Sequence, residues 1–435
     1  DNDILIVSKQ EFQNFLSEVM DIVLGKEIKA FKEHRKQAQS VQKIVDLSVI
    51  DKLNINATLF DHQKIGVSWL YNLYQKKVPG AILADDMGMG KTIQAIALID
   101  LIKPKNTVII CPASVISVWE KEIKSFAPHL SNKVQIYSFE KFNNTSTTDV
   151  DFLIVDEAQR AKNRNTGTNK RLMLVNAKFT LLLSGTPIEN KVEDLYNILR
   201  IVDPAFGKIF NYMKKTTNDE EFLAGETRKI IDSIYLRRVK TKNELSSTLT
   251  INNVYVDMTK MEANIHEAIT KYYGNLLVKK SATNDLSYYS DAIIALMRLR
   301  QAVSFPYQLK KLTSEIDTLK NQKIDTSSSK VKEVLKLSAN SKEKWIIFTS
   351  FTATLNHLKK VLPGDVLTIS GETPSGRRGA IIKEFQEGSA KYIVVNIKAG
   401  NSGITLHAAN NVIMYDLWWN PAVMQQATVS YTHLR

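Results

Sequence analysis

A glycine-rich turn between an apolar run and a helical pattern carries the clearest chemistry in the sequence. The apolar run covers residues 81–84. The turn that follows contains Gly88, Met89 and Gly90. Such a turn directs backbone N–H groups and a helix N-terminus at one point, which suits a phosphate group. Lys91 would supply a cation for the outer phosphates of a nucleotide, and Thr92 would supply a hydroxyl ligand for Mg²⁺.

The position that opens this turn leaves two interpretations open. The strict phosphate-loop pattern has a glycine where this chain has Asp85, so the pattern as usually written does not match. One interpretation is a nucleotide site, and the other is an ordinary glycine-rich connection between a strand and a helix. We expect the nucleotide site, with Gly88 and Gly90 shaping the loop.

A second motif places two adjacent carboxylates at the end of a buried strand. Residues 152–155 are all apolar, and Asp156 and Glu157 follow them directly. In phosphate-loop nucleotidases an acidic residue at this place holds Mg²⁺, and the adjacent one can deprotonate the attacking water. By itself such a pair is more often a solvated strand end. Together with the glycine turn, it predicts Asp156 as the metal residue and Glu157 as the catalytic base.

The elements around these motifs predict an α/β fold. Residues 58–202 alternate short apolar runs with helical patterns, which indicates βαβ units and a mostly parallel sheet. The predicted strands lie at 81–84, 107–111, 134–138, 152–155 and 180–184. Ligands of such sheets bind at the carboxyl ends of the strands, where the glycine turn falls.

The rest of the chain divides into three further segments. Residues 1–57 predict an N-terminal helical segment, and helical stripes dominate residues 203–335. Residues 336–435 return to α/β alternation and predict a second parallel sheet. Its predicted strands lie at 345–349, 366–369, 392–396 and 411–416.

Charge and composition indicate the class of partner. The 435 residues carry a formal net charge of +13, which favours a polyanion such as nucleic acid, although a lysine-rich solvated surface is the simpler alternative. The single cysteine, Cys111, excludes an internal disulfide and favours a reducing compartment. No apolar stretch approaches membrane-spanning length. Because the chain begins at Asp1, we expect a fragment or processed product. We expect a cytoplasmic protein of a prokaryote or virus, or a nuclear one if the source is eukaryotic.

Several segments together resemble one known family. The stretches LADDMGMGKTIQ, IVDEAQ and LSGTPIEN are similar to motifs I, II and III of the SWI/SNF family of superfamily-two helicase-like ATPases. The similarity continues in the same order over residues 58–428. It implies two RecA-like lobes that close on ATP and Mg²⁺ and step along the backbone of double-stranded DNA, in most members without separating the strands.

The resemblance also implies roles for single residues. Gln63 would read the adenine base, and the stretch from Ile110 to Ser114 together with Trp119 would contact the DNA backbone. Residues that would couple hydrolysis to lobe movement are Gln159, Ser184, Thr186, Gly403 and Gln426.

The chain departs from the family pattern after Thr428. The family continues with two arginines that reach the γ-phosphate, and Ser430 and His433 stand at their positions. Neither side chain offers a guanidinium fork. We therefore expect this chain to bind ATP and to hydrolyse it slowly. An ATP-gated nucleic-acid-binding module and a strand-separating DNA or RNA helicase remain the alternatives to a translocase.

Overall fold

The computed structural model contains two compact units, residues 1–245 and 246–435, and each is described by itself. The described residues are 26–41, 46–142, 149–164, 166–185, 192–217, 219–239, 250–282, 287–314, 316, 319–320, 322–339, 341–400 and 406–418. Among them, no helix has the length and apolar character that crossing a membrane requires.

Unit 1 is built on a six-stranded parallel sheet with the order β3-β2-β4-β5-β1-β6. Its strands are β1 (Gly80–Leu83), β2 (Thr107–Cys111), β3 (Val134–Ser138), β4 (Asp149–Asp156), β5 (Asn176–Leu183) and β6 (Tyr235–Leu236). The five predicted strands are confirmed. Because a parallel strand is covered on both faces, it appears in the sequence as an unbroken apolar run. The two-residue strand β6 was not predicted.

Helices cover the sheet of unit 1 and fill its core. They are α1 (Lys26–Val41), α2 (Asp61–Gln75), α3 (Lys91–Ile102), α4 (Ile116–Phe126), α5 (Gly167–Leu172), α6 (Val192–Leu199), α7 (Ala205–Thr216) and α8 (Glu220–Ile231). Helix α3 is buried over every residue from Gln94 to Asp100, in keeping with its apolar sequence. Helix α4 buries a narrower face through Trp119 and Ile123, four residues apart.

Unit 2 contains a four-stranded parallel sheet with the order β10-β7-β9-β8. Its strands are β7 (Trp345–Thr349), β8 (Val366–Ile369), β9 (Tyr392–Asn396) and β10 (Asn411–Met414). Its helices are α9 (Lys260–Ala282), α10 (Tyr288–Ser304), α11 (Ser329–Ala339), α12 (Thr352–Val361), α13 (Ser375–Glu387) and the short α14 (Ile397–Gly400). All four predicted strands are present, so the predicted α/β class with two parallel sheets is confirmed.

The helical region predicted at 203–335 is shared between the units. Helices α7 and α8 belong to unit 1, where Phe206, Phe210 and Leu223 join the core that covers the sheet. Helices α9 and α10 belong to unit 2. The four-segment division made from the sequence stays a prediction.

Candidate nucleotide-binding site

The sheet of unit 1 brings the sequence motifs to one edge. In the pairing register Asp156 lies opposite Leu183, and Leu183 lies opposite Leu83. Leu83 in turn lies opposite Leu236 of β6. Adjacent strands are about 4.8 Å apart, so Asp156 is about 10 Å from the end of β1. The glycine turn, the acidic pair and Ser184 therefore emerge at the same carboxyl edge, where parallel sheets bind ligands.

Both glycines of the turn adopt a left-handed backbone conformation. Gly88 and Gly90 have positive φ angles of 81° and 74°, a left-handed conformation that glycine adopts without steric cost. Gly90 directly precedes α3, so Lys91 and Thr92 occupy its first turn. The Lys91 ammonium donates to the backbone carbonyls of Asp85 at 2.7 Å and Asp86 at 3.2 Å. The Lys91 ammonium, the predicted cation, thus contacts the backbone of the loop that precedes it.

Burial and charge act in opposite directions on Lys91. Burial lowers the pKa of Lys91, while the nearby carboxylates oppose the shift. Those carboxylates belong, in order of effect, to Glu157, Asp156, Asp85 and Asp86. Acidic groups from both predicted motifs therefore lie within electrostatic reach of one ammonium group.

The Asp156 carboxylate is fixed by two donors. Its Oδ2 atom accepts a hydrogen bond from the Trp119 indole at 2.9 Å, and its Oδ1 atom accepts one from the Glu157 backbone N–H at 2.9 Å. Glu157 has a φ of 53°, which is costly for a residue with a side chain and turns the chain sharply after β4. Burial raises the pKa of Asp156, and the Trp119 hydrogen bond opposes the rise.

The pKa of the Glu157 carboxyl is raised, first by burial and then by the adjacent Asp156 carboxylate. A raised pKa favours a carboxylate that takes up a proton, which is what the predicted catalytic base would do. Because the pKa values of both acids are raised and the two are adjacent, they titrate as a pair. The role of Glu157 as catalytic base stays a prediction.

Trp119 corrects an implication of the family resemblance. The segment around it was expected to contact the DNA backbone, yet the Trp119 side chain is fully buried. Its indole points inward to Asp156, because α4 packs this face onto the sheet. Trp119 supports the acidic motif and is not available to DNA.

Two of the predicted coupling residues form a chain of hydrogen bonds with Glu157. The Ser184 hydroxyl donates to Gln159 Oε1 at 2.8 Å, and Gln159 Nε2 donates to Glu157 Oε2. Ser184 and Gln159 are both buried. Their coupling role stays a prediction. The other predicted coupling residues, Thr186, Gly403 and Gln426, lie outside the described residues.

Gln63 lies against the glycine turn. Its Nε2 atom donates to the carbonyl of Met89 at 3.2 Å, and its Oε1 atom accepts from the backbone N–H of Phe60 at 3.0 Å. A Cβ on Gly90 would approach Gln63 Nε2 to 2.3 Å, so the contact requires glycine. Gln63 thus braces the loop, and its predicted contact with adenine stays a prediction.

Three residues near the site were given no role from the sequence. Arg238 Nε donates to Asp85 Oδ1 at 2.9 Å, and Gln94 Nε2 donates to Asp85 Oδ2 at 3.2 Å. A Cβ on Gly66 would lie 2.1 Å from Gln94 Oε1 and would therefore displace the Gln94 amide from its present position. The sequence contained two signals. Asp85 stands where the loop pattern has glycine, and Gly66 lies inside a helix, where glycine costs about 1 kcal/mol relative to alanine.

The donor set fits Mg²⁺ held partly by a nucleotide. Each Asp156 oxygen accepts one hydrogen bond and keeps a further lone pair, and Thr92 adds a hydroxyl oxygen. Mg²⁺ is commonly bound by one or two protein oxygens together with substrate phosphates. Within the described part of the chain, no group of three or more His, Cys, Asp or Glu side chains forms a separate metal site.

Arg300 of α10 makes several contacts at the carboxyl edge of the sheet in unit 2. Arg300 lies over the rings of Phe351 and Trp418, 5.6 and 5.3 Å from their centroids. It also donates to Ser350 Oγ at 3.2 Å. The same edge holds Asp416, whose Oδ2 atom accepts from the Thr349 hydroxyl at 2.6 Å. Helix α10 is thereby tied to the ends of β7 and β10.

The comparisons with known proteins identify the family of the chain. Residues 62–145 and 136–308 match the SNF2-related domain, and residues 328–429 match the helicase conserved C-terminal domain. The chain belongs to the SNF2-related family. The predicted family is therefore confirmed, and with it a helicase-type ATPase class.

Relatives of the SNF2-related chain occur in bacteria and eukaryotes. An ATP-dependent helicase of Mycoplasma genitalium is 31% identical over 418 residues, covering 87% of this chain and 39% of the relative. The ATP-dependent helicase/translocase YwqA of Bacillus subtilis is 27% identical, covering 86% of this chain and 45% of the relative. The chain thus spans about two fifths of the length of these curated relatives.

A solved structure is also similar to this SNF2-related chain. It is the Sulfolobus solfataricus SWI2/SNF2 ATPase core in complex with dsDNA, with 28% sequence identity and a TM-score of 0.42. The similarity covers 88% of this chain and 87% of that chain.

Proposed function

We propose that this protein is an ATP-driven translocase that moves along double-stranded DNA. The observation that carries the proposal is the alignment of Lys91, Asp156 and Glu157 at one edge of one parallel sheet, inside a match to the SNF2-related domain. This edge combines a phosphate loop, a carboxylate for a metal and a base with a raised pKa.

Each side chain at this edge has its own role in the proposed hydrolysis of ATP. Lys91 exchanges the carbonyls of Asp85 and Asp86 for the outer phosphates of ATP and so neutralises their charge. Glu157 accepts a proton from the attacking water, and Gln159 holds its carboxylate in place. Asp156 and Thr92 would hold Mg²⁺. A bound Mg²⁺ would supply positive charge to stabilise the negative charge that develops on the phosphates.

Double-stranded DNA is the proposed track. A net charge of +13 suits a polyanion, and contacts to phosphates carry no sequence information. Two relatives carry names that include ATP-dependent helicase, and one of these names also includes translocase. The positive net charge and the names of these relatives both support movement along the DNA backbone. Neither of them requires that the two strands be separated.

A second candidate is an ATP-gated DNA-binding module. It is favoured by Ser430 and His433, which stand where the family has its arginines. An arginine finger contributes a factor of about 10³–10⁵ to the rate in nucleotidases that use one. The module would change its affinity for DNA on binding ATP and would turn ATP over hardly at all.

Displacement assays separate these functions. A translocase displaces the third strand of a DNA triplex when ATP is added and leaves a short duplex oligonucleotide annealed. A strand-separating helicase releases the duplex oligonucleotide as well. A gated module releases neither, while its DNA affinity still responds to ATP. Loss of triplex displacement in Lys91→Ala assigns the activity to the site in unit 1.

A further inference from the structure

A charged side chain lies fully buried directly beneath the phosphate loop. Asp85 follows β1 by two residues and has no exposed surface. It stands where the usual loop pattern has glycine, and its own carbonyl receives the Lys91 ammonium. A buried carboxylate is costly unless hydrogen bonds and an opposite charge compensate it.

Arg238 supplies that compensation from 153 residues further along the chain. Its backbone N–H and its Nε atom both donate to Asp85 Oδ1, at 3.2 and 2.9 Å. Its Nη2 atom forms an ion pair with Asp85 Oδ2, so the guanidinium holds both oxygens. The pairing register explains the meeting, because Leu236 of β6 lies opposite Leu83 and each partner stands two residues further on.

Further contacts hold this pair in place. Arg238 Nη1 donates to the carbonyl of His62, and Nη2 also donates to Gln94 Oε1 at 2.9 Å. Gln94 Nε2 donates to Asp85 Oδ2 and to the carbonyls of Met89 and Gly90, between 3.2 and 3.3 Å. The guanidinium is thus linked through Gln94 to the turn that would face the phosphates.

The ion pair between Asp85 and Arg238 lies in a region that already contains several negative charges. Four carboxylates act on Lys91, and one of them is Asp85. A nucleotide phosphate chain brings further negative charge to the same place. Without Arg238, the buried Asp85 carboxylate would lose its ion-pair partner and would draw on Lys91, the same cation that the phosphates need.

We propose that Arg238 is a positioning residue that neutralises Asp85 and thereby allows the phosphate loop to accept the triphosphate of ATP. The inference rests on the proposed ATP site. It assigns a role in phosphate binding to a side chain outside the phosphate loop and the acidic motif. The dependence on Arg238 grows with the number of phosphates on the ligand and disappears when Asp85 loses its charge.

The test compares adenosine, AMP, ADP and ATP with Mg²⁺ by calorimetric titration of the full chain. Arg238→Gln weakens ATP binding tenfold or more, ADP binding less, and adenosine binding less than twofold. The double variant Asp85→Asn with Arg238→Gln recovers ATP affinity to within threefold of the unchanged protein. The single variant Asp85→Asn binds ATP at least as tightly as the unchanged protein. This variant tests the inference even if Arg238→Gln fails to fold.

Three results overturn the inference. The first is an equal loss for adenosine and ATP in Arg238→Gln, which indicates a general structural role. The second is a double variant that binds ATP no better than Arg238→Gln. The third is an Asp85→Asn variant that loses ATP as strongly as Lys91→Ala. Failure of the proposed function is distinct, since the unchanged protein would then bind ATP no more tightly than Lys91→Ala.

Discussion

The Trp119 indole donates a hydrogen bond of 2.9 Å to Asp156 Oδ2. The donor lies in a helix that follows β2, and the acceptor ends β4, so the bond fixes the carboxylate from outside its own strand. The other carboxylate oxygen, Asp156 Oδ1, accepts a hydrogen bond from the Glu157 backbone N–H, so both oxygens are oriented. Groups that orient a metal ligand are needed for metal affinity as well as for activity.

Replacing Trp119 by phenylalanine removes the donor and keeps most of the apolar volume. We expect the Mg²⁺ concentration that gives half-maximal ATP hydrolysis to rise about tenfold or more, which is the usual effect of losing a group that supports a metal ligand. The matched control is Trp69→Phe, at another buried indole of unit 1. An unchanged Mg²⁺ requirement in Trp119→Phe, or an equal rise in both variants, contradicts the account.

Gly66 provides a test of the packing around Arg238. An added Cβ would lie 2.1 Å from Gln94 Oε1 and 2.7 Å from Arg238 Nη2, so Gly66→Ala should lower the free energy of unfolding by about 1–3 kcal/mol. Gly225 is the control, because it lies in helix α8 and its Cβ position has no heavy atom within 4 Å apart from its chain neighbours and the adjacent helix backbone. Gly225→Ala should stabilise the protein by about 0.5–1 kcal/mol. Equal shifts in denaturant unfolding would show that Gly66 is not constrained.

Glu122 on α4 makes stability depend on pH. Burial, followed by the Asp156 carboxylate, raises the pKa of Glu122 to about 7. The folded state therefore keeps its proton at pH values where the unfolded state has lost it, so this residue lowers stability as the pH rises from about 4.5 to 7. The Glu122→Gln variant should be more stable than the unchanged protein at pH 8, by at most about 3 kcal/mol.

The measurement for Glu122 is denaturant unfolding of both proteins at pH 5 and pH 8. The advantage of Glu122→Gln should shrink markedly at pH 5, where both states bind more protons. An advantage of the same size at both pH values would remove the electrostatic explanation and leave only a packing effect.

The tail of the chain provides a prediction about rate. Ser430 and His433 stand at the family's arginine positions, and both lie outside the described residues. Restoring the arginines with Ser430→Arg and His433→Arg together should raise the turnover of ATP by a factor of about 10³–10⁵. The same pair of changes combined with Lys91→Ala should show no rise. A restored protein that turns ATP over no faster would show that these positions do not limit hydrolysis.

The sequence predicted the parts of the fold that depend on local pattern. The strands from Thr107 to Cys111 and from Trp345 to Thr349 have the predicted bounds, because a buried parallel strand is an uninterrupted apolar run. The placement of Lys91, Asp156 and Ser184 at one edge also followed from the predicted parallel sheet, because each of them comes at or after the carboxyl end of a strand.

What the sequence did not predict depends on contacts between distant segments. The strand Tyr235–Leu236 exists through its pairing with β1, and two residues carry no periodic signal. Arg238 meets Asp85 across 153 positions, so neither residue identifies the other in the sequence. The inward direction of Trp119 is set by the packing of α4 on the sheet, which a motif resemblance does not contain.

Single-turnover hydrolysis of ATP is the decisive measurement for a DNA-driven ATPase, because excess protein makes even a slow chemical step measurable. Duplex DNA should accelerate the step at least tenfold, and rising salt should remove the acceleration as phosphate contacts weaken. The Glu157→Gln variant should bind ATP within about threefold of the unchanged protein while the step slows by about 10²-fold or more. A rate that is indifferent to duplex DNA, or that persists in Glu157→Gln, would rule out DNA-driven hydrolysis at this site.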